Sequence, residues 1–184
     1  MKGGAPMSAK AYNETSRASR KTVLEEKGMR TVRSTDVYLP REGLKEVSYC
    51  RKCGIIYQNK RWYIDEAELA KAKTIADSGK VVCPSCQRMQ DNNPGGIVTL
   101  SGEYMHQHEV EILDLLKHKE SYYRTKNPLG RIMEINQEGN VLTISTTEDK
   151  LAQKLGRDVY KAHKGALHYK WNHDESFVRV SWIR

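Results

Sequence analysis

Long hydrophobic runs are missing from this chain of 184 residues, since no apolar stretch approaches the roughly 18 residues that a membrane-spanning helix needs. Residues 1–10 also lack the apolar core of a secretory signal peptide. With 29% charged residues and a mean hydropathy of −0.73, the composition is typical of a water-soluble protein. We therefore expect a cytoplasmic protein with reduced thiols and no membrane partner.

The sequence also lacks the short motifs of the common enzyme classes. It contains no G-x-x-x-x-G-K-[ST], no G-x-G-x-x-G, no H-E-x-x-H and no nucleophile elbow. Four acid–base candidates fall on a predicted solvated helix and strand that offer no shared pocket. They are Asp149, Asp158, His163 and His168. We therefore expect that the protein is not an enzyme and has no small-molecule substrate.

Phenylalanine is scarce, whereas positive charge is abundant. The chain has only one phenylalanine but 10 tyrosines and three tryptophans, so most of its aromatic rings carry a polar group. The formal net charge is +8 and the isoelectric point is about 9.3. This balance favours a polyanionic partner, most simply a nucleic acid.

The only cysteines are Cys50, Cys53, Cys83 and Cys86, which form two C-x-x-C pairs in the contexts C-R-K-C-G and C-P-S-C-Q. Each pair can present two sulfurs to one ion, so the pattern predicts a closed, structural four-cysteine Zn²⁺ site. The alternatives are two disulfides and a redox motif. They are less favoured because nothing in the chain is secretory and no βαβ context surrounds the pairs.

The 29 residues between Cys53 and Cys83 are more than the simplest paired motif requires. Alternating residues 55–57 and 61–64 predict a hairpin that turns at residues 58–60. Asp65 then predicts the start of a helix, and Gly79 its end. We therefore predict a zinc ribbon with an inserted helix over residues 47–100.

Residues 1–46 show almost no apolar periodicity and predict a basic tail that is extended without a partner. A basic arm of this kind can order against RNA phosphates. The candidate contacts in the tail are Arg17, Arg20, Lys21, Arg30 and Arg33.

The second half of the chain predicts an α+β unit. A short strand is expected at residues 97–100, at the end of the 47–100 unit, and residues 101–130 predict a helix from Tyr104 to Lys119 followed by an exposed linker at 121–128. Residues 131–184 alternate in a way that predicts a small antiparallel ββαββ domain, with Thr147 at the start of its helix and Gly165 at its end.

The helix of that ββαββ domain carries a row of positive charges. The row consists of Lys150, Lys154, Arg157, Lys161 and Lys164. At about 100° per residue these side chains fall within an arc of roughly 80°. Leu151, Leu155, Val159 and Ala162 lie opposite and would dock on the sheet. A solvated amphipathic face is the simpler interpretation, but five cations without an acid in the row favour a phosphate-binding track.

The cysteine pairs, followed by the segment from Thr146 to Leu155 and by Gly165-Ala166-Leu167, resemble the nonsense-mediated-decay-three family. Its members are archaeal and eukaryotic adaptors that bind the large ribosomal subunit during maturation and export. The chain resembles short bacterial relatives of that family even more closely, over roughly residues 47–184. It has one cysteine-rich unit where the adaptors have two, and it lacks their transport signals.

The resemblance implies that the four cysteines bind zinc and that the protein contacts rRNA on the ribosome, in or near the tRNA and intersubunit sites. We expect the protein to act either in ribosome hibernation or inactivation, or in large-subunit maturation. The alternative is a free-standing regulator that binds DNA or RNA, although no helix-turn-helix pattern is present. Within the ribbon, the candidate RNA contacts are Arg51, Lys52, Lys60, Arg61 and Trp62.

Overall fold

A computed structural model describes residues 36–38, 43–172 and 177–184 and confirms the expected α+β class. The strands are β1 Ser48–Cys50, β2 Ile56–Gln58, β3 Arg61–Tyr63, β4 Gly79–Val81, β5 Gly96–Ser101, β6 Ile132–Glu138, β7 Val141–Thr146, β8 Ala166–Asn172 and β9 Phe177–Ile183. The helices are α1 Glu66–Thr74, α2 Pro84–Gln90, α3 Glu103–Gln107, α4 Glu109–Lys126 and α5 Asp149–His163. Among the described residues, no helix combines the length and apolarity needed to cross a membrane.

The predicted tail lies almost entirely outside the described residues. Arg17, Arg20, Lys21, Arg30 and Arg33 all belong to that part.

The first sheet has the order β3-β2-β1-β4 and confirms the predicted hairpin between β2 and β3. Both central residues of the hairpin turn, Asn59 and Lys60, have positive φ values of 52° and 60°. Two such residues match the twist of antiparallel strands. Strand β4 runs parallel to β1, so the sheet is mixed. Classification of this unit as a zinc ribbon stays a prediction.

The inserted helix begins where the sequence predicts, because Asp65 Oδ1 accepts a hydrogen bond of 2.9 Å from the Glu68 amide. Its end differs from the prediction, since α1 stops at Thr74 and Gly79 instead begins β4. A Cβ atom at Gly79 would lie 2.3 Å from Ser48 Oγ. The glycine therefore permits close approach of two parallel strands and does not terminate the helix.

The second sheet corrects the predicted antiparallel ββαββ domain. Both predicted hairpins are present, but the strand order is β6-β7-β5-β9-β8. Strand β5, which the sequence placed with the zinc-binding segment, lies at the centre, antiparallel to β7 and parallel to β9. Val98 of β5 pairs with Ile144 on one side and Val180 on the other. The sheet is therefore five-stranded and mixed, with the buried strand β5 joining the two hairpins.

Helices α3, α4 and α5 cover one face of this sheet. The core comprises fully or nearly fully buried side chains: Val98, Leu100, Met105, Ile112, Leu116, Leu142, Ile144, Leu151, Ala152, Leu155, Val159, Leu167, Val178, Val180 and Trp182. Leu151, Leu155 and Val159 dock as predicted, whereas Ala162 is exposed. Gly156 allows α5 to approach β9, since a Cβ there would lie 2.5 Å from Val180 Cγ1.

The single helix predicted from Tyr104 to Lys119 is divided at His108, and its second part continues to Lys126. The predicted linker at residues 121–128 is therefore wrong over most of its length. Tyr123 explains the extension, because its hydroxyl donates a 2.6 Å hydrogen bond to Asp158 Oδ2 of α5. This bond fastens the last turns of α4 to α5.

Thr147 has a different role from the predicted helix cap. Its Oγ1 accepts a 2.8 Å hydrogen bond from the Arg131 amide and donates one of 2.6 Å to the Leu129 carbonyl. Glu148 occupies the cap position instead. The other end agrees with the sequence, since α5 stops at His163 and Gly165 adopts a positive φ of 92°.

Candidate metal centre

The first cysteine pair lies on a tight turn that follows β1. The Gly54 amide donates to the Cys50 carbonyl at 2.9 Å, and the Cys50 amide donates to the Ile55 carbonyl at 2.8 Å. Gly54 has a φ of 74°, a backbone conformation that residues other than glycine rarely adopt. The turn directs both sulfurs of the pair to one side.

The second pair lies at the start of α2, a helix that the sequence analysis did not predict. Cys83 is the residue before the first turn, Pro84 opens the helix, and Cys86 lies within the first turn. Because α2 is only seven residues long and mostly polar, its periodicity is weak. A proline at the first helical position was the signal that could have identified it.

The four sulfur atoms lie within 4.8 Å of one another, and the four cysteines are free thiols. Cys53 Sγ and Cys83 Sγ are 3.6 Å apart, which is far longer than a disulfide bond of about 2.05 Å. A tetrahedral site with Zn–S bonds of about 2.3 Å places its sulfurs about 3.8 Å apart. The donor set and its spacing therefore fit one metal ion held by four thiolates.

Hydrogen-bond donors surround the sulfurs. The Cys83 amide donates to Cys50 Sγ at 3.3 Å, and Arg131 Nη1 lies 3.8 Å from Cys86 Sγ. Both donors stabilise negative charge on sulfur. Arg131 was not predicted as a site residue, because 45 positions separate it from Cys86.

The thiols do not share one protonation behaviour. The hydrogen bond from Cys83 lowers the pKa of Cys53 to about 5, while the same bond and burial raise the pKa of Cys83. Burial raises the pKa of Cys86 to about 11. Without a cation, the cluster therefore retains protons at neutral pH. A divalent ion that displaces them would ionise all four sulfurs.

The loop after α4 braces the cysteine cluster. Leu129 packs against the cluster, and its carbonyl accepts a hydrogen bond from Ser85 Oγ of α2. Farther along α2, Arg88 forms a 2.9 Å salt bridge with Asp36 and lies 4.6 Å from the ring centre of Tyr38. The small unit is thus packed against the larger one on one side and against residues 36–38 on another.

All five cations of the predicted row on and after α5 are exposed, as the periodicity indicates. Lys154 Nζ lies 4.7 Å from the ring centre of Tyr123, and Lys164 Nζ lies 3.4 Å from the Lys161 carbonyl. None of the salt bridges between described residues uses any of the five cations. The row of α5, defined as Lys150, Lys154, Arg157, Lys161 and Lys164, therefore presents five exposed cations that none of these salt bridges neutralises.

The ribbon candidates divide into two groups. Arg51 and Lys52 are exposed in the turn between the first two cysteines, where Lys52 Nζ donates to Gln90 Oε1 at 2.8 Å. Lys60, Arg61 and Trp62 instead line a cleft next to the end of α4. The structure brings these three together with Lys126, which the sequence analysis did not single out.

No known family model matches the chain, and no curated protein matches it either.

Proposed function

We propose that the protein is a non-enzymatic, zinc-stabilised factor of the cytoplasm that associates with the ribosome and contacts rRNA. The cysteine cluster supports the zinc part, because four free thiols at this spacing suit a closed structural site and leave no position for chemistry. Zinc would then supply folding energy to a unit whose own core is small.

The row of α5 carries the RNA part of the proposal. Its charges are exposed, while Leu151, Leu155 and Val159 on the other side of the helix are buried in the core. From Lys150 to Lys161 the row spans about 16 Å, at 1.5 Å per residue. A rigid line of cations of this length can neutralise several phosphates along one strand without reading bases.

The ribosomal part derives from the family resemblance in residues 47–184. Contact in or near the tRNA and intersubunit sites would suit a factor that keeps idle ribosomes inactive or accompanies maturation of the large subunit. A factor of either kind would act by covering rRNA, so the proposal requires no catalytic centre in this chain.

The test is co-sedimentation of the zinc-loaded protein with ribosomes over a salt series. We expect migration with the particles at low salt and a steep loss as salt rises, because phosphate contacts release counterions. A triple variant, K154E/R157E/K161E, should abolish this migration. The matched control, K73E/K80E/K117E, changes net charge equally at exposed lysines of other elements and should still bind.

A protein that stays at the top of the gradient at low salt would contradict the proposal. Mobility shifts with duplex DNA and with structured RNA would then identify a free-standing regulator. Equal losses in both triple variants would show that net charge, rather than the row of α5, directs binding.

A further inference from the structure

A cleft of about 500 Å³ separates the β2–β3 hairpin from the end of α4. Tyr57, Lys60, Arg61 and Trp62 form one side, and Lys126 and Leu129 contribute to the other. This volume lies in the range of sites that hold small ligands or single nucleotides, about 300–1,000 Å³. The two sides come from regions more than 60 residues apart in the sequence, so folding alone creates the cleft.

Aromatic rings form a firm wall in the cleft. Tyr57 and Trp62 pair with ring centres 5.2 Å apart and planes inclined at 55°. Trp62 also packs against the cysteine cluster, which is almost fully buried. A ring held in this way loses little freedom when a nucleobase stacks on it, and stacking accepts any base.

Positive charge surrounds the aromatic wall. Lys60 and Arg61 of the hairpin and Lys126 at the end of α4 are all exposed. Among the described residues that line the cleft, none carries a carboxylate. Cations on both sides of a stacking surface are the arrangement that holds the phosphates flanking an unstacked base.

The amide side chain that lines the cleft is already engaged. Asn127 Nδ2 donates to Glu148 Oε2 at 2.6 Å, and Asn127 Oδ1 accepts from the Leu129 amide at 3.1 Å. Its amide group is therefore committed to the fold, so stacking and charge are the main recognition chemistry of the cleft. Such a site discriminates paired from unpaired nucleotides more than it discriminates base sequence.

We propose that the cleft holds one unpaired nucleotide of a single-stranded nucleic acid. This inference rests on the proposed function, in which the nucleic acid is RNA. The base stacks on Trp62, whose ring Tyr57 supports, and its flanking phosphates contact Lys60, Arg61 and Lys126. A duplex does not fit this role, because its base faces are covered by neighbouring pairs.

The cleft also depends on the cysteine cluster. Trp62 and Leu129, which lie on its two sides, both pack against the cluster formed by Cys50, Ile55, Cys83 and Cys86. Loss of the metal would therefore displace both sides at once. Nucleotide binding should disappear when the metal is removed and return when zinc is restored.

The test is a fluorescence-anisotropy titration of the zinc-loaded full chain with labelled penta-adenylate, and with a blunt-ended RNA duplex that has no unpaired nucleotide. We expect Trp62→Ala to weaken penta-adenylate binding about 5- to 100-fold and to leave duplex binding nearly unchanged. Trp171→Ala is the matched control, because Trp171 is a partly exposed tryptophan of β8 that stacks on Tyr169 away from the cleft. It should bind like the unmodified protein.

Lys126→Ala guards against a folding defect, since Lys126 is exposed at a helix end. The substitution should reduce the slope of the logarithm of the penta-adenylate binding constant against the logarithm of salt concentration by about one. Penta-deoxyadenylate distinguishes the two sources of the nucleotide, and tighter binding of the ribose form would assign the site to RNA. Similar binding of both forms would support a site that recognises base and phosphate alone.

Unchanged penta-adenylate binding in both Trp62→Ala and Lys126→Ala would overturn the inference. The proposed function would survive that result if K154E/R157E/K161E still lost the ribosome. In the opposite case, binding of penta-adenylate that depends on Trp62 in a protein that stays off ribosomes would retain the cleft and reject the ribosomal role.

Discussion

The two sheets of this protein differ in the kind of buried residues that stabilise each of them. Beside the four-stranded sheet lies a buried cluster of Cys50, Ile55, Cys83 and Cys86, of which all but Ile55 are potential metal ligands. The five-stranded sheet is covered by helices whose aliphatic side chains are fully buried against it, as Leu155 and Ile112 illustrate. The larger unit can derive its stability from apolar burial, whereas the proposed zinc ion would supply much of the stability of the smaller one.

The two units meet through a short segment after α4. Leu129 packs on the cysteine cluster, and Arg131 lies beside Cys86 Sγ. Thr147 at the start of the α5 region holds both residues through their backbones. The two units therefore contact each other at a defined place, and a structural change in one unit can reach the other there.

Metal removal should produce the largest difference in stability between the two units. A structural zinc site contributes folding free energy on the order of 10 kcal/mol, so a chelator or Cys83→Ser should unfold the first sheet while the second persists. Hydrogen exchange measures this directly, with fast exchange expected for β1–β3 and retained protection for β5 and β9. Restored protection on adding zinc back is the control for the chelated protein. Protected amides in β1–β3 without metal would remove the distinction between the units.

A cavity in the larger core should have the converse effect. Leu155 has no exposed surface, so Leu155→Ala is expected to lower the free energy of unfolding by about 2–5 kcal/mol. Urea unfolding measures the loss, and Lys161→Ala on the exposed side of the same helix should change stability by less than about 0.5 kcal/mol. Metal content should not change. If zinc were lost together with the core, the two sheets would be one cooperative unit.

A substitution at the contact should affect both units. Thr147→Val keeps the shape of the side chain but leaves the Arg131 amide and the Leu129 carbonyl without this partner, at a cost of about 1–3 kcal/mol. We expect a lower urea midpoint together with faster transfer of zinc to a chromophoric chelator. Thr147→Ser retains the hydroxyl and should preserve zinc retention. Normal zinc transfer in the valine variant would show that the segment does not couple the units.

The smallest expected effect concerns pH. Burial raises the pKa of Glu148 above its ordinary value of 4.5, so the folded state takes up its proton more readily than the unfolded state. The stability from this proton is fully present below pH 4.5 and is lost as pH rises through the folded pKa. Glu148→Gln imitates the protonated form and can still accept the hydrogen bond from Asn127 Nδ2.

We expect Glu148→Gln to flatten the pH dependence of the urea midpoint just above pH 4.5 and to increase stability slightly at neutral pH. Asp149, whose pKa is also raised by burial, raises the pKa of Glu148 further, so the difference between the two proteins reports Glu148 together with its electrostatic coupling to Asp149. A steeper pH profile in the variant would show that the carboxylate form is the stabilising one.

Local patterns predicted much of the candidate site. The C-x-x-C spacing identified the four cysteines that cluster, and the 3.6-residue period identified the exposed row of α5. The hairpin turn at Asn59 and Lys60 and the helix start at Asp65 also follow from neighbouring residues. Predictions failed where a distant residue decided the outcome, as for the end of α4, which depends on Asp158.

The sequence by itself determined which residues can bind a metal and which face of α5 carries charge, because both depend on spacing within a few turns of chain. Tertiary structure alone decided that β5 lies between the two hairpins, that Arg131 lies beside Cys86, and that Lys126 faces Trp62 across a cleft. Each of these joins segments far apart in the chain. Their pairing is set by shared burial, and no local pattern records it.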